Sequence, residues 1–366
     1  MSNDYTLHDQ WSTRPSDERY STLADMAQYL TAEAAQCRTI SADTDMLRVV
    51  PTDHNGLGIV GKSGNPAIFT HWSLNQVCQV SSSPASYIRS LPATLAADCL
   101  NYGLKMAPRQ NQQLYLRQKP ANGEPAHLEL RALTSIGYSR ILSANIVRKL
   151  AELQQQYPDW THPLAYQQGD FGSARTPVAG YAGDRDCYVI MQNESARIVD
   201  PADPSGEGLT RLIMLVNSEV GAKRFDLILG LCERICSNLI IWNYKQIASI
   251  SMRHYGDKIK REWSRGIGTV FHDYANLSAR DETAKLQAAS VKQLGAKKED
   301  VIDLLFRRDV ATKQQLTDAY ELAERNGRDP RTAWGAVHGL TRLSQQSPYA
   351  DERIDLDKAA SKVLDF

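Results

Sequence analysis

No stretch of the 366-residue chain stays apolar for the roughly 18–20 residues that a membrane-spanning helix requires, so the sequence does not read as a helical membrane protein. The opening residues lack a charged segment followed by an apolar one. An export signal is therefore not expected, and the expected compartment is the cytoplasm. Excess charge is missing too. The 42 Lys and Arg balance 42 Asp and Glu, which weighs against a dispersed basic surface for duplex DNA but leaves room for a local basic groove. The six cysteines (Cys37, Cys78, Cys99, Cys187, Cys232, Cys236) lack paired-ligand spacing and read as reduced, mostly buried thiols.

Motifs that dictate a chemistry are equally scarce. There is no G-x-x-x-x-G-K-[ST] phosphate loop. Gly56-Leu-Gly58-Ile-Val-Gly61 spells G-x-G-x-x-G, but it lies inside a strand pattern. It leads into Lys62-Ser-Gly-Asn-Pro66, which cannot open the helix that a dinucleotide fingerprint needs, so it reads as a glycine-containing hairpin. Cys232 and Cys236, with His254 eighteen residues further on, do not form the two close ligand pairs of a structural zinc site. No G-x-S-x-G is present, and Ser218 between Asn217 and Glu219 reads first as a turn closed by side-chain to backbone hydrogen bonds. Asp184, Asp186, Glu194 and Asp200 offer carboxylates, but nothing in their spacing assembles a metal-dependent nuclease. Neither a cofactor nor a metal is expected, and the reading leans away from an enzyme.

What the chain does have is the composition of a globular protein, 42% hydrophobic and 23% charged. Its length suits two domains, or one large domain with helical extensions. The predicted class is α+β, a mixed, largely antiparallel β-rich core with flanking helices and an α-helical final third. Residues 1–20 read as a mobile segment, 21–256 as the core, with 159–184 a long loop or insertion, and 257–366 as the helical region. Ser21 or Thr22 caps a first helix over Asp25–Leu30. Strands follow over 46–50 and 57–60, and helices over 73–106, with Pro84 and Pro92 at their first turns. A hairpin is predicted over 112–118 and 126–134, then a helix from Ser143 to about Tyr157. Strand patterns recur at 187–192, 196–199, 209–216, 232–243 and 246–252, while 225–231 fits helix or strand. Beyond Gly256, one or two long helices precede helical patterns at 298–307, 312–325, 331–345 and 351–364.

Charge is unevenly spread. Residues 46–140 carry nine Lys and Arg against four acids, whereas 161–222 carry four against eight. The densest signal lies between Lys245 and Gly266, with Lys245, Arg253, Lys258, Lys260, Arg261 and Arg265 against Asp257 and Glu262. Trp242, Tyr244, Tyr255 and Trp263 are interleaved with or adjacent to these cations. Cations for phosphates beside aromatic faces for bases are what single-stranded nucleic acid requires. The bland alternative is a solvated helix face with its aromatics in the core. Arg131, Tyr138 and Arg140 are placed to extend such a groove.

The segments RPSDERY (14–20), LGIVG (57–61), LVNSEVGAKRF (215–225), ERICSNLIIW (233–242), MRHYG (252–256) and RTAWGAVHGLTRLSQ (331–345) resemble a phage-, prophage- and plasmid-borne family known as domain of unknown function 932. The resemblance implies a setting on bacterial mobile genetic elements rather than a mechanism, since that family has no settled activity. It raises the weight of nucleic-acid work by analogy.

The resulting expectation is a single-stranded DNA-binding protein, with strand annealing or recombination as its role, acting as a homo-oligomer away from membranes. Lys258, Lys260, Arg261 and Arg265 would neutralise phosphates, Arg253 and His254 would touch backbone, and Tyr255 or Trp263 would stack on bases. Asn217, Ser218, Glu219 and Asn238 would shape turns that position this surface. The alternative is an interaction module of a phage or plasmid that binds a host protein. Trp334, Val337 and Leu340 of the helical third are its candidates, although their spacing fits a domain core better.

Overall fold

A computed structural model describes residues 14–61, 65–120, 125–165, 176–201, 208–233, 239–241, 250–347 and 350–366. The class is α+β, with two principal sheets and helices packed on them. The six-stranded sheet runs in the order Cys37–Asp43, Asn111–Lys119, His127–Ser135, Ala67–Phe69, Gly56–Val60, Arg48–Thr52. All its pairings are antiparallel except that of Ala67–Phe69 with His127–Ser135. Helices His71–Val80, Ala85–Ser90 and Ala93–Met106 bury Val77, Ile88, Leu100 and Leu104 against Val49, Ile59, Leu114 and Leu130 of the sheet. Pro84 and Pro92 sit at the N-cap positions of the second and third of these helices, where a missing N–H removes no helical bond.

The eight-stranded sheet is wholly antiparallel. Its main path is Arg19–Tyr20, Gly180–Ala182, Cys187–Ile198, Leu209–Asn217, Phe225–Glu233, Leu239–Ile241, with Ile250–Met252 and Trp160–Thr161 paired alongside. Leu209–Asn217 is buried at all nine positions, because both of its faces are covered. Leu209, Ile213 and Leu215 face the main core with helices Leu23–Ala35, Ser143–Gln156 and Gly256–Ala275, while Leu212, Met214 and Val216 join Tyr188 and Ile190 on the reverse side. Arg211 points to the helical side. Its Nε and Nη2 donate to Glu282 Oε2 at 2.9 and 2.7 Å, with Arg211 2% and Glu282 0% exposed. Helices Ala279–Val291, Lys298–Arg307, Lys313–Arg325, Ala333–Ser344 and Ala350–Val363 complete the chain. No described helix is long and apolar enough to cross a membrane.

Several predicted elements need redrawing. The region 159–184 was expected to be loop, yet Trp160–Thr161 and Gly180–Ala182 are strands of the large sheet. Trp160 is buried against Phe271 and Tyr274, so tertiary packing overrides a locally aperiodic pattern. Cys187–Ile198 is one strand whose register slips between Asn193 and Ile198, rather than two strands. Phe225–Glu233 is a strand. Cys37–Asp43 and Ala67–Phe69 had no counterpart in the sequence reading. Trp334, Val337 and Leu340, the candidates for a partner surface, are core residues at 1%, 0% and 1% exposure.

Candidate nucleic-acid interface

The turn after Leu209–Asn217 joins the two sheets. Asn217, 0% exposed, donates from Nδ2 to Ile141 O at 3.1 Å and to Ser143 Oγ at 3.0 Å. Ser218 Oγ donates to Arg185 O at 2.6 Å and accepts from Ala222 N at 2.9 Å, closing the turn on itself as the sequence suggested. Gly221 takes φ +83°, a left-handed conformation that a side chain resists. Three successive carbonyls of this turn then receive side chains from around the other sheet. Tyr138 Oη donates to Ser218 O at 2.8 Å, and Arg140 Nε to Glu219 O at 2.7 Å. Trp72 Nε1 and Gln76 Nε2 reach Val220 O at 2.9 and 2.8 Å.

The Glu219 carboxylate is the centre of this clasp. It accepts from Tyr115 Oη at 2.6 Å and from the Ser143 backbone N–H at 2.8 Å, and it lies 3.5 Å from Arg131 Nη1. Ser143 was expected to cap its helix. Instead Leu142 is the N-cap, with no side-chain bond of its own, and the distant Glu219 supplies the negative charge that a helix start favours. Burial and the neighbouring carboxylate push the Tyr115 phenol up, so it remains a donor. Arg131 is the extra residue where the central hairpin slips register between Tyr115 and Leu116, a bulge that re-aims it toward Glu33 and Glu219. Arg140 lies over the Tyr115 ring at 3.8 Å and also bonds Thr39 Oγ1.

The clasp continues into the start of the basic helix. Residues 137–139 run antiparallel to 254–256, bridged at Tyr138 and Tyr255. Ser139 N donates to His254 O at 3.1 Å, Gly256 N to Gly137 O at 3.0 Å, and Ser139 Oγ to Gly256 O at 2.6 Å. His254 is buried, stacked on Tyr138 with centroids 5.3 Å apart, and its Nδ1 meets Ser139 O at 3.1 Å. A carbonyl can only accept, so Nδ1 carries the proton, and burial holds the ring's pKa below the ordinary histidine value.

The predicted contact residues therefore divide. Arg131, Arg140, His254 and Trp263 turn inward, which corrects their expected places on a groove. Arg131 and Arg140 are held by the clasp, His254 by Tyr138, and half-buried Trp263 meets Phe225 edge-on at 6.4 Å. Asn217, Ser218 and Glu219 shape a turn, but one that joins sheets. Arg253, Tyr255, Lys258, Lys260, Arg261 and Arg265 are exposed. Lys258 lies 3.8 Å from Glu262 and Lys260 2.9 Å from Asp257, solvated pairs that contribute little. Arg253, Arg261 and Arg265 make no side-chain hydrogen bond or ion pair with the described residues. Lys258, Arg261 and Arg265 fall within about 60° of helical arc and span roughly 10 Å. Ile259, Ile267, Phe271 and Tyr274 occupy the opposite, buried face.

Tyr255 stands beside this stripe at 71% exposure, its ring lying over Gly137, where an added Cβ would meet Tyr255 Cε2 at 2.4 Å. Exposed Ile136 is next to it in the chain, at 56%. Sequence reasoning missed Tyr115, Gly137 and the Arg117–Glu129 pair. A signal existed, since Tyr115 and Arg117 on one strand, like Glu129 and Arg131 on the next, alternate at the two-residue period of one sheet face. Asn238, Trp242, Tyr244, Lys245, Cys236 and the side chains of Cys232 and Glu194 lie outside the described residues. The other carboxylates considered for a nuclease stand apart. Asp184 pairs with Arg117, Asp186 with Arg14, and Asp200 with Arg328 and the Trp334 indole. Among the described residues no group of three or more His, Cys, Asp or Glu could hold a metal ion. Compared with protein-family models, curated proteins and solved structures, the chain matches none.

Proposed function

We propose that the chain binds single-stranded DNA along the outer face of the Gly256–Ala275 helix, in a strand-annealing or recombination role. The observation that carries this reading is the stripe of Lys258, Arg261 and Arg265, with Arg253 and the bare Tyr255 ring at its amino-terminal end. Exposed arginines that make no ion pair with the described residues can neutralise phosphates, and an exposed ring offers a stacking face to any base. The helix start is hydrogen-bonded to residues 137–139, which fixes the amino-terminal end of the stripe against the clasp. The resemblance to a phage- and plasmid-borne family supports a place in the replication or recombination of mobile elements.

Equilibrium binding of fluorescent single- and double-stranded oligonucleotides across a salt series tests the proposal. Four cationic contacts give a log–log salt slope of about −3 on a single strand. The double substitution Arg261→Glu, Arg265→Glu removes tight binding and leaves circular dichroism unchanged. Absence of single-strand binding at low salt, or unchanged affinity in that variant, refutes it.

A further inference from the structure

Sheet edges differ sharply in how they are protected. One end of the eight-stranded sheet is Arg19–Tyr20, a strand of two residues, and so short an edge offers little to pair with. At one end of the six-stranded sheet, Arg48–Thr52 carries Pro51, which has no N–H to donate. The other end, Cys37–Asp43, is different. It is seven residues long, contains no Pro, Gly or Lys, and pairs with Asn111–Lys119 without a bulge. Its outer edge has no strand partner among the described residues. Arg38, Thr39, Ile40 and Ser41 are all exposed, Ile40 at 41%, and nearby Met46 is 43% exposed. A cleft of about 440 Å³ opens beside the strand, floored by Leu114 and Leu116 and flanked by Arg38, Ile40 and Met46.

We propose that this edge pairs antiparallel with the same edge of a second copy of the chain, about a two-fold axis at Ile40. The occupant follows from the strand's own sequence, CRTISAD, which complements itself in that register. Ile40 faces Ile40 of the second copy, Thr39 faces Ser41, Arg38 faces Ala42 and Cys37 faces Asp43. Apolar and hydroxyl pairs of this kind stabilise facing strands, and no like charges are opposed. The two Arg38 side chains stand four residues apart along the ribbon, roughly 14 Å. A two-fold contact also closes on itself, so pairing stops at two chains.

Light scattering after size exclusion, on the full chain over a range of concentrations, tests this. The expected mass is twice the 40.8 kDa of one chain at high concentration, falling toward 40.8 kDa on dilution. Ile40→Lys opposes two ammonium groups at the axis, and Ser41→Pro removes an edge donor. Each gives 40.8 kDa throughout, with unchanged circular dichroism because both positions are exposed. In a Cys37→Ser background, Ile40→Cys forms an intermolecular disulfide on mild oxidation, whereas Arg38→Cys, far from its mate, does not. A wild-type chain of 40.8 kDa at every concentration overturns the proposal, as does a dimer that persists in Ile40→Lys. Equal cross-linking at positions 38 and 40 overturns the register.

Discussion

Removing Glu282 tests how the large sheet is bound to its helices. In Glu282→Ala the guanidinium of Arg211 loses the carboxylate that holds Nε and Nη2 at 2.9 and 2.7 Å. It keeps Tyr274 O at 3.2 Å and Leu277 O at 2.7 Å, but its charge stays in a place only 2% exposed. Two carbonyl dipoles do not replace a full negative charge out of water. Removing one partner of a buried pair costs roughly 3–5 kcal/mol, a large part of the about 5–15 kcal/mol that holds a domain together. Replacing both partners with apolar residues of similar size, Arg211→Met with Glu282→Leu, removes each charge along with its mate and is close to neutral or stabilising. Urea unfolding followed by far-ultraviolet circular dichroism measures all three chains. The single variant should lose about 3–5 kcal/mol and the double variant should recover most of it. A single variant within about 0.5 kcal/mol of wild type, or a double variant no more stable than the single, refutes this account.

Two further predictions concern the last helix and the exposed tyrosine. Burial pushes the Asp357 carboxyl up from 3.8 to about 7, so the folded chain keeps a proton that the unfolded chain releases between those values. The resulting penalty is complete above pH 7 and fades as the pH falls toward 4. Asp357→Asn, which can still accept the Ser344 Oγ bond, should therefore be more stable than wild type at pH 8 by up to about 4 kcal/mol. Thermal melts at pH 8 and pH 4.5 should show that gap close, and a pH-independent gap would contradict the assignment. Gly137→Ala should displace the Tyr255 ring and weaken single-strand binding by about 1–3 kcal/mol at an unchanged salt slope, since stacking is lost and phosphate contacts are not. A changed slope in the titration would point to a different role for this loop.

Several helix starts were legible from a local signal. Thr312 caps Lys313–Arg325, Thr22 caps Leu23–Ala35, and Pro84 and Pro92 open their helices, because capping is decided within four residues. Cys37–Asp43 was not legible. Arg38 breaks the apolar face of Ile40 and Ala42, and the segment becomes a strand through pairing with residues 68 to 80 positions away. Which of the candidate residues are exposed was only half legible, for a related reason. Charge density picked out Lys258, Arg261 and Arg265 on an exposed face, but it also picked out Arg131 and Arg140. Arg131 is buried and Arg140 half-buried through Glu219, more than seventy-five positions from either, which no spacing rule links to them. Trp263 misled because an aromatic on a basic helix is drawn either to bases or to the core, and Phe225 decides for the core.

The clasp also bears on how the chain reaches its folded state. Many of its bonds join residues far apart in the chain: Ser143 to Glu219 spans 76 positions, Tyr115 to Glu219 spans 104, and Trp72 to Val220 spans 148. Loops that long must close before any of these bonds can form, so the helix at Ser143 gains its capping charge only once the sheets have met. Damage to the turn at 217–221 should then hasten unfolding while leaving the rate of folding almost unchanged, making this small turn a determinant of how long the protein lasts rather than how fast it forms.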